Sequence, residues 1–218
     1  MDDPSPSKDA GIDGGLRSFV PARLACLLPP PTPGESGPPS VRAFASVMLA
    51  DISGFSRLAE RLISEGGQEG VDELTAILDA QFGGWVEAVH ACGGEVVRFA
   101  GDALIACWWR EAEDGLADAA SRALCCGLAI TSMPGVRGIP LSRRVAVTVG
   151  PALLARVGGE GGRFELLLTG GVMAGLGALI AAAKPGEAVA SGTAWKLAGP
   201  PFEGLEVPGG GGAVRVLR

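Results

Sequence analysis

Apolar residues follow two alternating patterns along the chain, and these predict strands and helices in turn. The run from Phe44 to Asp51 (FASVMLAD) is almost continuously apolar and ends in an acid, which is typical of a central strand. Apolar residues then recur at helical spacing from Phe55 to Leu62. They recur again from Val71 to Val89, where a long amphipathic helix is predicted to stop at Gly93-Gly94.

The next segment predicts a β-hairpin. Two strand-like runs, EVVRFA and ALIACWW, flank Gly101-Asp102, and a glycine in the first turn position suits a type II′ turn. Asp102 is therefore expected at the tip. The later pattern predicts, in order, helix 116–130, strand 144–150, strand 163–169, helix 175–183, strand 188–191 and short strands within 202–207 and 213–217. Because a hairpin interrupts the alternation, the predicted fold class is α+β with a mixed sheet rather than a purely parallel one.

Composition separates the N-terminal part of the chain from the rest. Of the 16 prolines in 218 residues, nine lie in residues 1–40. This region is predicted to be a Pro-rich, largely disordered segment, with an apolar stretch at 19–28 that can dock on the domain. Residues 41–218 are predicted to form one domain, since 47% of the chain is hydrophobic.

The residue inventory narrows the possible chemistry. A net charge of −6 argues against a nucleic-acid surface. The single histidine, His90, excludes a two-His zinc site, and no Ser-His-Asp triad is evident around it. Five cysteines without a C-x-x-C spacing indicate free thiols in a reducing compartment. No secretory signal opens the sequence, so a cytoplasmic location is expected. Any catalysis must therefore rest on carboxylates.

One uncharged segment raises the alternative of a membrane-associated scaffold. Residues 166–183 reach the lower limit of transmembrane length. The Gly170-Gly171 pair and the many alanines favour a buried strand, a turn and a buried helix instead, so no membrane contact is expected.

Two aspartates are the candidate catalytic groups. Asp51 ends an apolar strand and Asp102 lies at the hairpin tip, and two such acids at one sheet edge can hold Mg²⁺ together with substrate phosphates. After Asp51 the chain turns at Gly54 into a helix, whose free N–H groups can cradle phosphate. The alternative is that these acids are only helix-cap and turn residues.

The segments VMLADISGFSRLAERL and GGEVVRFAGDALIACW resemble the cyclase homology domain of class III nucleotidyl cyclases. The similarity is greatest to the first catalytic domain of soluble, bicarbonate-responsive adenylyl cyclases and extends over roughly residues 19–218. It implies an antiparallel-containing mixed sheet flanked by helices, around a ferredoxin-like core. It also implies conversion of ATP to cyclic AMP and pyrophosphate.

The resemblance also implies roles for individual residues. Asp51 and Asp102 would be the catalytic, metal-binding aspartates, and the carbonyl of Ile52 would complete one coordination shell. Two Mg²⁺ ions, for which Mn²⁺ can substitute, would act as a two-metal clamp. The triphosphate would be bound by the backbone of Ser53, Gly54, Phe55 and Ser56.

The sequence departs from the family pattern in the second half of the site. Family active sites form between two cyclase domains, one of which supplies an Asn and an Arg four residues apart. The matching positions here are Ala174 and Ala178, and the purine-reading positions are Arg98 and Leu167. A homodimer is therefore expected to be inactive or very weak. The expected partner is a second cyclase domain, in another chain or in the continuation of a longer one.

The resemblance raises regulatory and rival hypotheses as well. Arg98 takes the place of a lysine that binds bicarbonate in the responsive relatives, and is a candidate regulatory anion site. The matching arginine position falls near Gly177, which carries no charge. The rivals are a non-catalytic nucleotide-binding or dimerisation module and one half of a guanylyl cyclase.

Overall fold

The computed structural model describes residues 40–158 and 164–217, and within them eight strands form a mixed sheet. The strand order is β2-β3-β1-β4-β6-β8-β7, and β5 pairs with β4. β4 and β6 are parallel, whereas β1 with β3, β2 with β3, β6 with β8 and β7 with β8 are antiparallel. The strands are β1 (Ser40–Ser53), β2 (Glu95–Ala100), β3 (Ala103–Arg110), β4 (Ser142–Gly158), β5 (Phe164–Thr169), β6 (Ala188–Ala190), β7 (Gly204–Glu206) and β8 (Val214–Val216).

Four α-helices and two short 3₁₀ turns connect these strands. The helices are α1 (Phe55–Ala91), α2 (Leu116–Thr131), α3 (Leu176–Ala182) and α4 (Gly192–Ala198), and the 3₁₀ turns are Glu113–Gly115 and Gly171–Met173. The predicted α+β class with a mixed sheet is confirmed. Helix α4 was not among the expected elements. It begins after Ser191, whose hydroxyl accepts a hydrogen bond from the Ala194 N–H at 3.1 Å and caps the helix.

The chain divides into two compact units. The larger consists of residues 42–153 and 168–218, and it contains every residue of the candidate site described below. The described part of the smaller unit consists of Ser40, Val41 and the outer portions of β4 and β5. The predictions for residues 1–39, including docking of the 19–28 stretch, lie outside the described residues.

Helix α1 contains a break that its glycines permit. Gly67 has φ 54° and ψ −123°, a conformation outside the helical range that a side chain would strain. At Gly70, an added Cβ would lie 1.9 Å from the Leu62 carbonyl oxygen. The two helical stretches expected from the sequence are thus the two arms of one bent helix, and the first arm begins directly after β1.

The main core is one cluster of buried side chains from the sheet and from helices α1, α2 and α4. Trp85 and Trp108 are fully buried and Trp109 is 7% exposed, so all three are core residues. Helix α2 contributes a stripe of small buried residues, among them Ala119, Ala120 and Ala123. This core holds β1 and β3 in fixed register, and the register positions the aspartates.

A buried arginine ties helix α1 to the connection between α2 and β4. Arg143 is 2% exposed and donates to the Gln81 side-chain oxygen, through Nε at 3.1 Å and Nη2 at 2.6 Å. It also donates to the carbonyl oxygens of Met133 and Pro134. Burial lowers the pKa of Arg143. All of these acceptors are neutral, so the guanidinium acts as a hydrogen-bonded cross-link.

The uncharged segment 166–183 folds as a strand end, a turn and the seven-residue helix α3. In the part of the chain that the structure describes, no helix is both long enough and apolar enough to cross a membrane. Of the described cysteines, Cys107 and Cys126 are buried and Cys125 is exposed, and all are free thiols. Burial raises the pKa of the Cys107 thiol well above its ordinary value.

Candidate catalytic and metal site

The pairing of β1 with β3 brings the two candidate aspartates to one edge of the sheet. Asp51 lies opposite Ala103 in the antiparallel register, and Asp102 directly precedes Ala103. Opposed residues in an antiparallel pair have Cα atoms about 5 Å apart, so Asp102 is one residue away from the partner of Asp51. Gly101 has φ 64°, which a glycine adopts readily and which permits the two-residue turn. Two acids 51 residues apart in sequence therefore become neighbours.

The two carboxylates have different surroundings. Asp51 is 16% exposed in its side chain and forms an ion pair with Arg144, which opens strand β4 beside β1. Asp102 is partly buried and has no ion-pair or hydrogen-bond partner among the described residues. Within residues 40–158 and 164–217, Asp51 is therefore charge-compensated and Asp102 is not.

Arg144 is the neighbour of the candidate site that the sequence pattern did not reveal. Its side chain is 30% exposed, and its Nε is buried without a hydrogen-bond partner in the described chain. The signal that could have revealed it is the Arg143-Arg144 pair at the start of the apolar strand VAVTVG. Successive side chains of a strand point to opposite faces of the sheet, so the two arginines lie on opposite faces. Arg143 enters the core, and Arg144 reaches the carboxylate edge.

The residues after Asp51 form a turn into α1 that leaves polar groups available. Gly54 has φ 77° and ψ 15°, and no side chain caps the helix that follows. The first N–H groups of a helix have no intrahelical acceptor, so those that begin at Phe55 are free to bind an anion. The hydroxyl of Ser53 is buried without a partner. The predicted phosphate-binding segment, 53–56, thus carries unsatisfied donors beside the carboxylates.

The oxygen ligands at this edge fit a magnesium-type ion that is bound together with phosphates. Among the described residues there is no group of three or more His, Cys, Asp or Glu side chains that could hold a metal. Two carboxylates and a backbone carbonyl suit a hard cation that takes its remaining oxygens from substrate phosphates and water. The Ile52 side chain is 2% exposed in the core and fixes the backbone between Asp51 and the turn.

The positions expected to lack the complementary catalytic groups lie elsewhere in the fold. Ala174 precedes α3 and Ala178 lies within it, and both are exposed. The Thr148 hydroxyl donates to the Val172 carbonyl at 2.6 Å and holds this segment against β4. Neither methyl group can bind a phosphate or a purine. Leu167, the second purine-reading position, is 43% exposed.

The candidate anion residue lies on β2. Arg98 is exposed, and it pairs with Ile105 of β3 just after a register shift that begins at Val96. Gly177, the matching position for the second cationic residue, is exposed and has open space around it. The two matching positions therefore carry one cationic side chain rather than two.

A cavity of about 420 Å³ is separate from the carboxylate edge. It is lined by residues 42–44, 151–153 and 170–171. Because a strand rises about 3.3 Å per residue, the eight residues from Ala43 to Asp51 place the cavity about 26 Å from that carboxylate along β1. The cavity is not part of the candidate site.

The described architecture is that of the catalytic domains of class III nucleotidyl cyclases. The adenylyl cyclase CyaB from P. aeruginosa superposes with a TM-score of 0.65 at 20% identity, covering 82% of this chain and 96% of that one. The guanylate cyclase domain of RhGC from Catenaria anguillulae, solved with GTP, has a TM-score of 0.62 at 19% identity over 81% of this chain and 96% of that one. The resemblance inferred from the two sequence segments is confirmed.

Sequence comparison points in the same direction over a shorter stretch. Adenylate cyclase type 10 of Rattus norvegicus is 40% identical over 72 residues, which are 32% of this chain and 4% of that protein. The human protein of the same name is 40% identical over 63 residues, 28% of this chain and again 4% of its own length. The match thus spans a small fraction of these relatives. No family model matches the chain.

Proposed function

We propose that this chain is the metal-binding half of an adenylyl cyclase, which converts ATP to cyclic AMP and pyrophosphate when paired with a complementary cyclase domain. The observation that carries the proposal is the convergence of Asp51 and Asp102 at the β1–β3 edge, beside the uncapped start of α1. A substrate triphosphate needs both a cation and backbone donors, and this edge offers carboxylate ligands for a cation together with backbone N–H donors.

Asp51, Asp102 and the Ile52 carbonyl would hold the Mg²⁺ ions, or Mn²⁺ in their place. When bound, these ions would supply Lewis-acid activation of the attacking 3′-hydroxyl and neutralise phosphate charge. The chain's own part is to bind and orient. The free N–H groups that begin at Phe55 and the Ser53 hydroxyl would donate hydrogen bonds to the triphosphate and orient it beside the carboxylates.

The complementary domain would supply what Ala174 and Ala178 do not. Charge on a transferring phosphate needs cationic or amide groups placed in advance, and removing one such donor costs about 100- to 1000-fold in rate. A homodimer of this chain would repeat the two alanines in each site. The chain alone is therefore expected to make no cyclic AMP at an enzyme-like rate.

The test combines the chain with a cyclase domain that carries the Asn, Arg and Lys set and measures cyclic AMP from Mg-ATP or Mn-ATP. Asp51→Asn and Asp102→Asn preserve side-chain shape and are each expected to lower activity at least about 100-fold. Asp79→Asn, an exposed change on α1, is the matched control and should leave activity unchanged.

Four outcomes would contradict the proposal. Full cyclic AMP production by the purified chain alone would show that no complementary domain is needed. An active pair that tolerates both aspartate changes would show that the carboxylates do no catalysis. Production of cyclic GMP from Mg-GTP but no cyclic AMP from ATP would favour the guanylyl alternative. Nucleotide binding without turnover by any pair would favour the non-catalytic module.

The bicarbonate hypothesis is tested in the same reconstituted pair. Arg98 would bind the anion as a planar fork, and Arg98→Ala is expected to remove activation. Activity that does not change when bicarbonate is added would remove the hypothesis without affecting the catalytic proposal.

A further inference from the structure

Arg144 and Asp51 are charged neighbours at a position where a cation is expected to bind. The Arg144 Nη2 donates to Asp51 Oδ2 in a charge-assisted hydrogen bond, and neither side chain is more than 30% exposed. We propose that Arg144 is the counter-charge of Asp51 when no divalent cation is bound, so that cation binding competes with this ion pair. This inference rests on the proposed function, because it takes Asp51 as a cation ligand.

The partner-free Asp102 supports this assignment. If side chains alone balanced the charge of this edge, a basic side chain would be expected near each carboxylate. Arg144 compensates Asp51, but no described residue compensates Asp102. An arriving cation therefore meets one available carboxylate and one that is already hydrogen-bonded. It also meets a positive guanidinium at close range, which repels it.

The competition predicts how the site fills. A free divalent cation must displace or share the arginine, so binding to the nucleotide-free chain is weak. A cation that arrives as a complex with a nucleoside triphosphate carries a net negative charge, so the guanidinium no longer repels it. The ion pair thus makes binding of the cation depend on binding of the nucleotide. Before the nucleotide binds, the ion pair balances the charge of Asp51.

The test measures direct binding of Mn²⁺ to the nucleotide-free chain. The concentration of free Mn²⁺ is read from its electron paramagnetic resonance signal. Arg144→Met removes the competing charge and is expected to tighten Mn²⁺ binding about three- to tenfold, the range for loss of a partly exposed ion pair of about 1 kcal/mol. Arg144→Lys keeps a positive charge and should stay close to the unmodified chain. The control Arg122→Met removes an arginine that pairs with a different carboxylate, Asp118, and should change nothing.

The tighter Mn²⁺ binding expected for Arg144→Met must also depend on Asp51. In an Asp51→Asn background, Arg144→Met is expected to give no tightening, because the ligand over which the arginine competes is gone. Unchanged or weaker Mn²⁺ binding by Arg144→Met, with Asp51→Asn still weakening it, would overturn this inference alone. Mn²⁺ binding that is insensitive to Asp51→Asn would overturn the metal assignment of the proposed function, and this inference with it. Should Arg144→Met fail to fold, Arg144→Gln, which is neutral and planar, carries the same expectation.

Discussion

The buried cross-link at Arg143 makes a sharp stability prediction. Arg143→Met keeps an apolar stem of similar length and removes every guanidinium donor. The Gln81 oxygen, in a residue that is 1% exposed, then loses both of its hydrogen bonds. The carbonyl oxygens of Met133 and Pro134 each lose one hydrogen bond, from less buried positions.

The magnitude follows from counting what is left unsatisfied. A fully buried acceptor without a partner costs about 1–3 kcal/mol, and two carbonyls that water can reach add about 0.5–1 kcal/mol each. Relief of the arginine's own desolvation opposes these costs, because the buried charge has no carboxylate partner. We expect a net loss of about 2–4 kcal/mol in the free energy of unfolding, a large fraction of the total of about 5–15 kcal/mol for a domain.

The assay is chemical denaturation followed by circular dichroism, with the m-value checked for constancy. The double variant Gln81→Leu/Arg143→Met removes the orphaned oxygen together with the donor and should recover at least half of the loss. Arg122→Met, at an exposed ion pair, is the control and should cost less than about 1 kcal/mol. A change below about 0.5 kcal/mol for Arg143→Met, or no recovery in the double variant, would refute the reasoning.

Two further predictions concern single positions. Gly54→Ala places a side chain at φ 77° in open space, so backbone strain alone should lower the free energy of unfolding by about 1–2 kcal/mol. Thermal denaturation measures this loss. The control Gly177→Ala lies inside helix α3 and should be neutral or stabilising. Burial raises the pKa of Cys107, so the unfolded chain loses this thiol proton at a lower pH than the folded chain does. The free energy of unfolding should therefore fall above about pH 9, by up to about 1.4 kcal/mol per pH unit. Cys107→Ala should flatten that decline, and an identical pH slope in both proteins would contradict the assignment.

Local pattern was enough to predict most of the elements that carry the site. The strand that carries Asp51, the hairpin around Asp102 and the helix after Gly54 were all expected from local patterns, although β1 begins before Phe44 and continues past Asp51 to Ser53. Such features depend on apolar periodicity and turn chemistry, both of which can be read from the sequence. The hypothesis that the two acids share one sheet edge came from their positions, one at the end of an apolar run and the other in a hairpin turn.

Long-range pairing could not be obtained in this way. Arg144 reaches Asp51 across 93 positions only because β4 lies beside β1, and nothing near either residue specifies that strand order. The cross-link between Arg143 and Gln81 spans 62 positions for the same reason. Helix α4 is seven residues long, too short for periodicity to distinguish, and it depends on the Ser191 cap and on packing of Ala194 and Ala198.

The shift in register between β2 and β3 has a consequence for solubility. β2 is the outermost described strand on its side of the sheet, so its backbone groups there could template another strand, and exposed Phe99 adds apolar surface. Edges of this kind invite fibril-like stacking between copies. The irregularity between Val96 and Arg98 interrupts the even spacing of those groups, so an identical strand cannot pair along the whole of β2 in regular register. The same short stretch therefore keeps an exposed margin of the molecule from polymerising.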